Sequence, residues 1–180
     1  MIGGIANKGA GISCSIGTGS NSCAFDGKNI TDNVSSLGFM LGDEGSGASL
    51  GRQLVRSFFY REMPADIKAA FYERYQMDKD TIFREVYKSA LPSRYMAQFT
   101  KFMYEYIEVP FMRDLIKKEF AAFIDTQVIK YENVQSIPIN FLGSVAFFFK
   151  DIMLEVLEER QLTMGRIIKE PIETLVHYHL

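Results

Sequence analysis

The amino-acid sequence predicts an α/β fold: a mixed sheet that opens with three antiparallel strands and is interrupted by an all-helical insertion. Three observations carry that expectation. Twelve of the fourteen glycines lie at or before Gly51, while most Phe and Tyr residues follow it, so the opening is loops and strands. From Pro64 to Tyr131 apolar and charged residues alternate at helical spacing, with Pro64, Pro92 and Pro110 at boundaries. Then Pro138-Ile139-Asn140-Phe141-Leu142, a nearly continuous apolar run, is followed by a new amphipathic pattern, as expected for a buried parallel strand feeding a helix.

Taken in order, Gly11-Ile12-Ser13-Cys14-Ser15-Ile16 and Ser22-Cys23-Ala24-Phe25 are β-prone runs. Gly17-Thr18-Gly19-Ser20-Asn21 joins them, a connection rich in residues that tolerate positive φ and present backbone N–H groups. Asp26-Gly27 signals a two-residue hairpin turn into a third strand at Lys28-Asn29-Ile30-Thr31. After the loop Gly42-Asp43-Glu44-Gly45-Ser46-Gly47, Leu50, Leu54, Val55 and Phe58 share one helical face, which predicts a helix from about Ser46 to Tyr60. Past the insertion, Gly143-Ser144 ends the buried strand. Val145, Phe148, Phe149, Ile152, Met153, Val156 and Leu157 then keep the spacing of a single amphipathic helix. Residues 162 to 168 read as a last strand, and Pro171 suits the first turn of a closing helix. Three antiparallel strands, a helix, inserted helices, strand, helix, strand and helix is the ribonuclease-H-like order. It divides the chain into residues 1–60 plus 132–180 as the sheet-bearing domain and 61–131 as the insertion.

Composition bounds the function. The 180 residues are 47% hydrophobic and 23% charged, ordinary for a globular domain. Twenty Lys+Arg against 22 Asp+Glu leave a net charge of -2 with no long block of either sign, which argues against nucleic acid or a membrane surface as partner. The longest apolar stretch contains Pro138 and Asn140 and is shorter than the ~20 residues a spanning helix needs. No signal-peptide pattern precedes Gly11, so the expected location is the cytoplasm. Cys14 and Cys23 match no zinc spacing and are expected to be reduced and packed, and Phe99, Phe102, Met103 and Tyr106 to form core or a dimer surface.

Two common nucleotide signatures fail at defined positions. The Gly4-x-x-x-x-Gly9 spacing is followed by Ala10 where a Walker loop needs Lys, and Gly17-Thr18-Gly19 has Ser22 where a dinucleotide fingerprint needs its third glycine. What remains at the first turn is Gly17-Thr18-Gly19-Ser20-Asn21-Ser22, hydroxyls set among glycines. Successive N–H groups in such a turn form a concave anion cradle. The same residues equally describe a glycine hairpin with no ligand.

Gly17-Thr18-Gly19-Ser20-Asn21-Ser22-Cys23 followed by Leu37-Gly38-Phe39-Met40-Leu41-Gly42-Asp43-Glu44-Gly45-Ser46-Gly47 resembles, in order and spacing, the paired signatures of N-acetylglucosamine kinases. These belong with the BadF/BadG/BcrA/BcrD ATPases in the actin, hexokinase and Hsp70 superfamily. The resemblance implies an actin-like ATPase domain in which Gly17, Thr18, Gly19 and Ser20 hold ATP phosphates while Asn21 and Asp43 approach the sugar. Capping of the following helix is an alternative role for Glu44 and, less so, for Asp43. Asn140-Phe141-Leu142-Gly143-Ser144-Val145-Ala146 is similar to the family's adenosine loop, which implies Gly143 and Ser144 as adenosine contacts; a plain strand-to-helix turn is the alternative.

The resemblance further implies ATP and Mg²⁺ as cofactors and N-acetylglucosamine or a related amino sugar as substrate, phosphorylated on its 6-hydroxyl. It implies a missing N-terminal ATPase domain that supplies another phosphate loop, most metal coordination and the catalytic Asp, with no metal ligand here. A homodimer is a further expectation. Two other readings remain open. One is a nucleotide- or sugar-binding remnant without turnover, and the other is the ATPase activator of a radical dehydratase, which carries an iron–sulfur cluster.

Overall fold

The computed structural model describes residues 9–170. The chain begins with an antiparallel pair, β1 (Gly11–Ile16) and β2 (Ser20–Phe25), in which Ile16 faces Ser20 across a three-residue turn. β2 therefore starts two residues earlier than the sequence pattern suggests, because Ser20 and Asn21 continue the ladder. β3 (Ile30–Asp32) pairs antiparallel with β2. Its turn is longer than the predicted Asp-Gly bend. Asp26 accepts the N–H groups of Lys28 and Asn29 at 2.8 and 2.7 Å, and the Asp26 N–H donates to the Asn29 carbonyl. The aspartate side chain closes a wider loop, and the strand moves two residues on.

A short helix absent from the sequence reading, α1 (Gly38–Leu41), leads to α2 (Gly47–Phe59). Ser46 caps α2 by accepting the Ser49 N–H at 3.2 Å, so neither Asp43 nor Glu44 fills the capping role. The helix buries Leu50, Leu54, Val55 and Phe58, the face the periodicity marks. Then come α3 (Ala65–Tyr75), α4 (Lys79–Tyr87), α5 (Pro92–Ala97), α6 (Thr100–Glu105) and α7 (Pro110–Thr126), followed by a 3-10 turn at Val128–Lys130. This stretch is all-helical, as expected. Phe71 is fully buried, with Phe58, Tyr75, Phe99 and Phe102 at centroid distances of 4.9 to 5.6 Å. Phe99, Phe102 and Met103 are fully buried, so the aromatic stripe is core.

β4 (Ile139–Leu142), buried along its whole length, pairs parallel with β1 on one side and with β5 (Met164–Ile168) on the other. The sheet order is β3-β2-β1-β4-β5, the mixed arrangement predicted. Asn140 ties the parallel half together. Its amide donates to the Ile12 carbonyl and its oxygen accepts the Arg166 N–H at 2.9 Å, where the β4–β5 register shifts. Between these strands the predicted single helix is two, α8 (Ser144–Phe148) and α9 (Lys150–Glu158). The break falls at Phe149, whose φ of -104° and ψ of 25° leave the helical region, and it turns that ring inward against Tyr104 and Phe120. The closing helix expected at Pro171 lies outside the described residues. No described helix is long and apolar enough to cross a membrane.

Candidate functional site

The turn between β1 and β2 is fixed by the start of α2. The Gly47 N–H donates to the Gly17 carbonyl at 2.8 Å and the Ala48 N–H to the Thr18 carbonyl at 3.1 Å. In a planar trans peptide the carbonyl and the next N–H point in opposite directions. Pinning these two carbonyls toward α2 therefore aims the N–H groups of Thr18 and Gly19 together, away from the helix. Neither has a hydrogen-bond partner among the described residues. Two adjacent, parallel, unpaired donors on a half-exposed turn form a cradle for an anion.

Ser20 is held differently. Its N–H donates to Asp43 Oδ1 at 3.2 Å and its hydroxyl to the Glu44 carbonyl at 2.8 Å. Ser20 thus fastens the turn to the loop 42–46. Asp43 is buried, with φ of 61°, a left-handed conformation that Asp tolerates better than most residues. Its carboxylate lies over Gly19, where an added Cβ would meet both oxygens at 3.0 and 3.2 Å. Oδ1 accepts from Ser20 and from the Ser36 hydroxyl, whereas Oδ2 carries no hydrogen bond among the described residues and keeps contact with solvent. Asn21, half-buried, uses its oxygen to accept its neighbour's N–H, from Ser22 at 2.8 Å.

Gly143 brings the second predicted loop to the first. It has φ of 117°, and a Cβ there would fall 2.3 Å from the Ile16 carbonyl and 3.3 Å from the Gly17 nitrogen. Only glycine lets the β4–α8 connection touch the β1–β2 turn. Beside it, α6 and α8 enclose a cavity of about 390 Å³ lined by Thr100, Lys101, Tyr104, Ser144, Val145 and Phe148 among others. Ser144, on the cavity wall, thus directly follows the glycine that packs against the base of the Thr18–Gly19 turn.

No family model matches the chain, and no curated protein matches it. Among solved structures, the chain is 38% identical to a candidate N-acetylglucosamine kinase from Porphyromonas gingivalis, with a TM-score of 0.94 over 99% of this chain and 64% of that one. In sequence as in fold, the chain is similar to part of that candidate kinase. A candidate N-acetylglucosamine kinase from Chromobacterium violaceum, 16% identical, shares the fold with a TM-score of 0.74 over 97% of this chain and 61% of that one. The chain thus spans less than two thirds of either relative. The ribonuclease-H-like, actin-like ATPase fold expected from the sequence is the one observed.

Around these loops lie residues that sequence reasoning passed over. Ser36 clasps the loop by donating to the Ser20 carbonyl at 3.0 Å and to Asp43. Tyr131 accepts the Val34 N–H at 3.1 Å and donates to the Ser22 hydroxyl, which itself donates to Gln127. Arg52 binds the Phe39 carbonyl at 2.9 Å and the Ser49 hydroxyl at 3.0 Å, and Ser49 donates to the buried Glu119. Nothing in the local sequence around Tyr131 or Glu119 announces these contacts, since the partners lie 109 and 70 residues away.

The cysteines bear on the choice of function. Cys14 faces Ser22 across the ladder while Cys23 faces Ser13, so alternation along the strands puts the two thiols on opposite faces of the sheet. Both are free and buried, and burial pushes each thiol above its ordinary pKa, Cys14 well above. Protonated and separated, they are poor ligands for iron.

Proposed function

We propose that this chain is the phosphate- and nucleoside-binding part of an ATP-dependent amino-sugar kinase that phosphorylates the 6-hydroxyl of N-acetylglucosamine or a close relative. One observation carries the reading: Gly143 packs on Ile16 and Gly17 at the base of the turn that bears the Thr18 and Gly19 donors, and the next residue, Ser144, lines the cavity. An extended ligand with an apolar, planar head and an anionic tail matches that arrangement, and a nucleoside triphosphate has both parts. Gly17 and Ser20 then shape the turn, Thr18 and Gly19 bind the phosphates, and Gly143 with Ser144 borders the adenosine. Asp43 Oδ2 accepts a sugar hydroxyl, with Asn21 nearby.

Mg²⁺ suits this site as a passenger on the phosphates. Among the described residues no three or more His, Cys, Asp or Glu side chains gather, and Mg²⁺ ordinarily takes one or two carboxylates, waters and phosphate oxygens. When bound, it neutralises phosphate charge that the Asp43 carboxylate would otherwise repel.

Phosphoryl transfer needs donors on both sides of the moving group. In this reading the other side, with the catalytic base, comes from outside this chain, and the chain alone binds without turnover. Titrating the ¹⁵N-labelled chain with Mg·ATP tests the site: the largest amide shifts belong at Thr18, Gly19 and Ser144. Shifts confined to other surfaces, with those three unmoved, would refute it. Steady-state phosphorylation of N-acetylglucosamine by the chain alone would refute the two-sided arrangement. The buried, opposed cysteines weigh against an iron–sulfur activator, and iron-free, colourless protein would exclude it.

A further inference from the structure

We infer that the nucleotide site reads its base by stacking and not by edge, so that 6-amino and 6-oxo purine triphosphates bind with similar affinity. This rests on the nucleotide reading above and concerns the cavity between α6 and α8. Its wall is apolar and aromatic: Tyr104, Val145, Phe148 and Phe149. Tyr104 and Phe148 pack edge to face with centroids 5.3 Å apart, and each stays partly exposed on the cavity side, 47% and 43%. The Lys169 ammonium sits 5.2 Å from the Phe148 centroid and holds that ring in place.

Some polar side chains of the cavity are engaged. The Thr100 hydroxyl donates to the Ala97 carbonyl at 2.8 Å, and Glu105 pairs with Arg74 at 2.6 Å. Ser144, which lines the cavity, has a hydroxyl with no partner among the described residues, a rotor that donates or accepts alike. Besides it there remain Lys101, whose ammonium has no hydrogen bond or ion pair among the described residues, and the Tyr104 hydroxyl. A lysine ammonium on four rotatable bonds is a mobile donor, and a phenol both donates and accepts. Neither imposes one edge pattern. A site that hydrogen-bonds a substrate group with fixed partners rejects the analogue lacking it by about 10⁴-fold, which this wall has no means to do.

Calorimetric titration of the chain with Mg·ATP, Mg·ITP and Mg·GTP tests the inference. Dissociation constants for the three within about tenfold of one another support it, since that margin is far below edge readout. If Mg·ATP binds and the 6-oxo nucleotides trail by more than that factor, the inference falls and the nucleotide reading stands. If none binds, both fall. Tyr104→Ala, at a half-exposed position, should weaken Mg·ATP and Mg·GTP alike by roughly tenfold through lost stacking. Lys101→Met should leave the ATP-to-GTP ratio unchanged; a ratio that moves by tenfold or more would show that Lys101 reads the edge and overturn the inference.

Discussion

The site and the helical stretch between α2 and β4 are built on opposite terms. Around the β1–β2 turn, main chain meets main chain: Gly47 on Gly17 through a hydrogen bond, and Gly143 on Ile16, where an added Cβ would lie 2.3 Å from the carbonyl oxygen. In the helical stretch, side chain meets side chain, with Phe71 ringed by four aromatic neighbours. Consequently the first region fails when atoms are added and the second when atoms are removed. In the proposed function, close backbone approach serves a ligand, because it exposes N–H groups without side chains in the way. Aromatic burial serves stability alone.

Substitutions break or sharpen that contrast. Removing the Phe71 ring should have the largest effect: Phe71→Ala leaves a cavity costing about 3–5 kcal/mol in denaturant unfolding, and whatever protein remains folded should bind Mg·ATP normally. Gly143→Ala, which combines a left-handed φ with a backbone clash, should cost about 2–4 kcal/mol and lose nucleotide binding even in the folded fraction. Were Gly143→Ala to bind as wild type, the contrast between the regions would be gone.

Asp43→Asn keeps an oxygen for Ser20 and Ser36, so stability should shift by less than about 1 kcal/mol. Sugar affinity, measured in the presence of Mg·ATP, should fall about tenfold or more.

The smallest effect belongs to the surface. Asp125 takes a two-pronged bond from Arg160 at 2.6 and 2.7 Å, and that guanidinium holds its carboxyl below the usual range. A depressed folded-state pKa stabilises above the unfolded value and loses that contribution as pH falls through the folded one. Because the carboxylate is half exposed, Asp125→Asn should cost under about 1 kcal/mol at pH 7 and nothing once the pH drops well below about 4.

Much of the framework was readable in the chain itself. Alternation and glycine spacing located β1, β4 and the first turn, and the apolar face of Leu50, Leu54, Val55 and Phe58 located α2 to within a residue, although its cap at Ser46 was not picked out. These depend on neighbours close in sequence. What escaped depends on distant ones. The wider loop at Asp26 needs a side chain folded back on its own backbone, and the break at Phe149 follows from rings on α6 and α7. At the site, Gly17, Thr18, Gly19, Gly143 and Asp43 were all picked out as individual residues. Their assembly was not, since Gly143 and Gly17 meet only after the parallel β1–β4 pairing forms. The clasp of Ser36, Tyr131 and Arg52 on the segment between β3 and α2 was invisible, being side chains bonded to carbonyls and amides far along the chain.

Glycine loops are commonly pictured as pliant, closing around a ligand as it arrives. The two amides of α2 that grip the carbonyls of Gly17 and Thr18 give this turn another character. Its freedom is taken up by those bonds during folding, so in the proposed function capture of an anion involves no rearrangement there. Association should follow diffusion and charge, quickening at low ionic strength, and slow steps in a binding time course would then originate elsewhere in the protein.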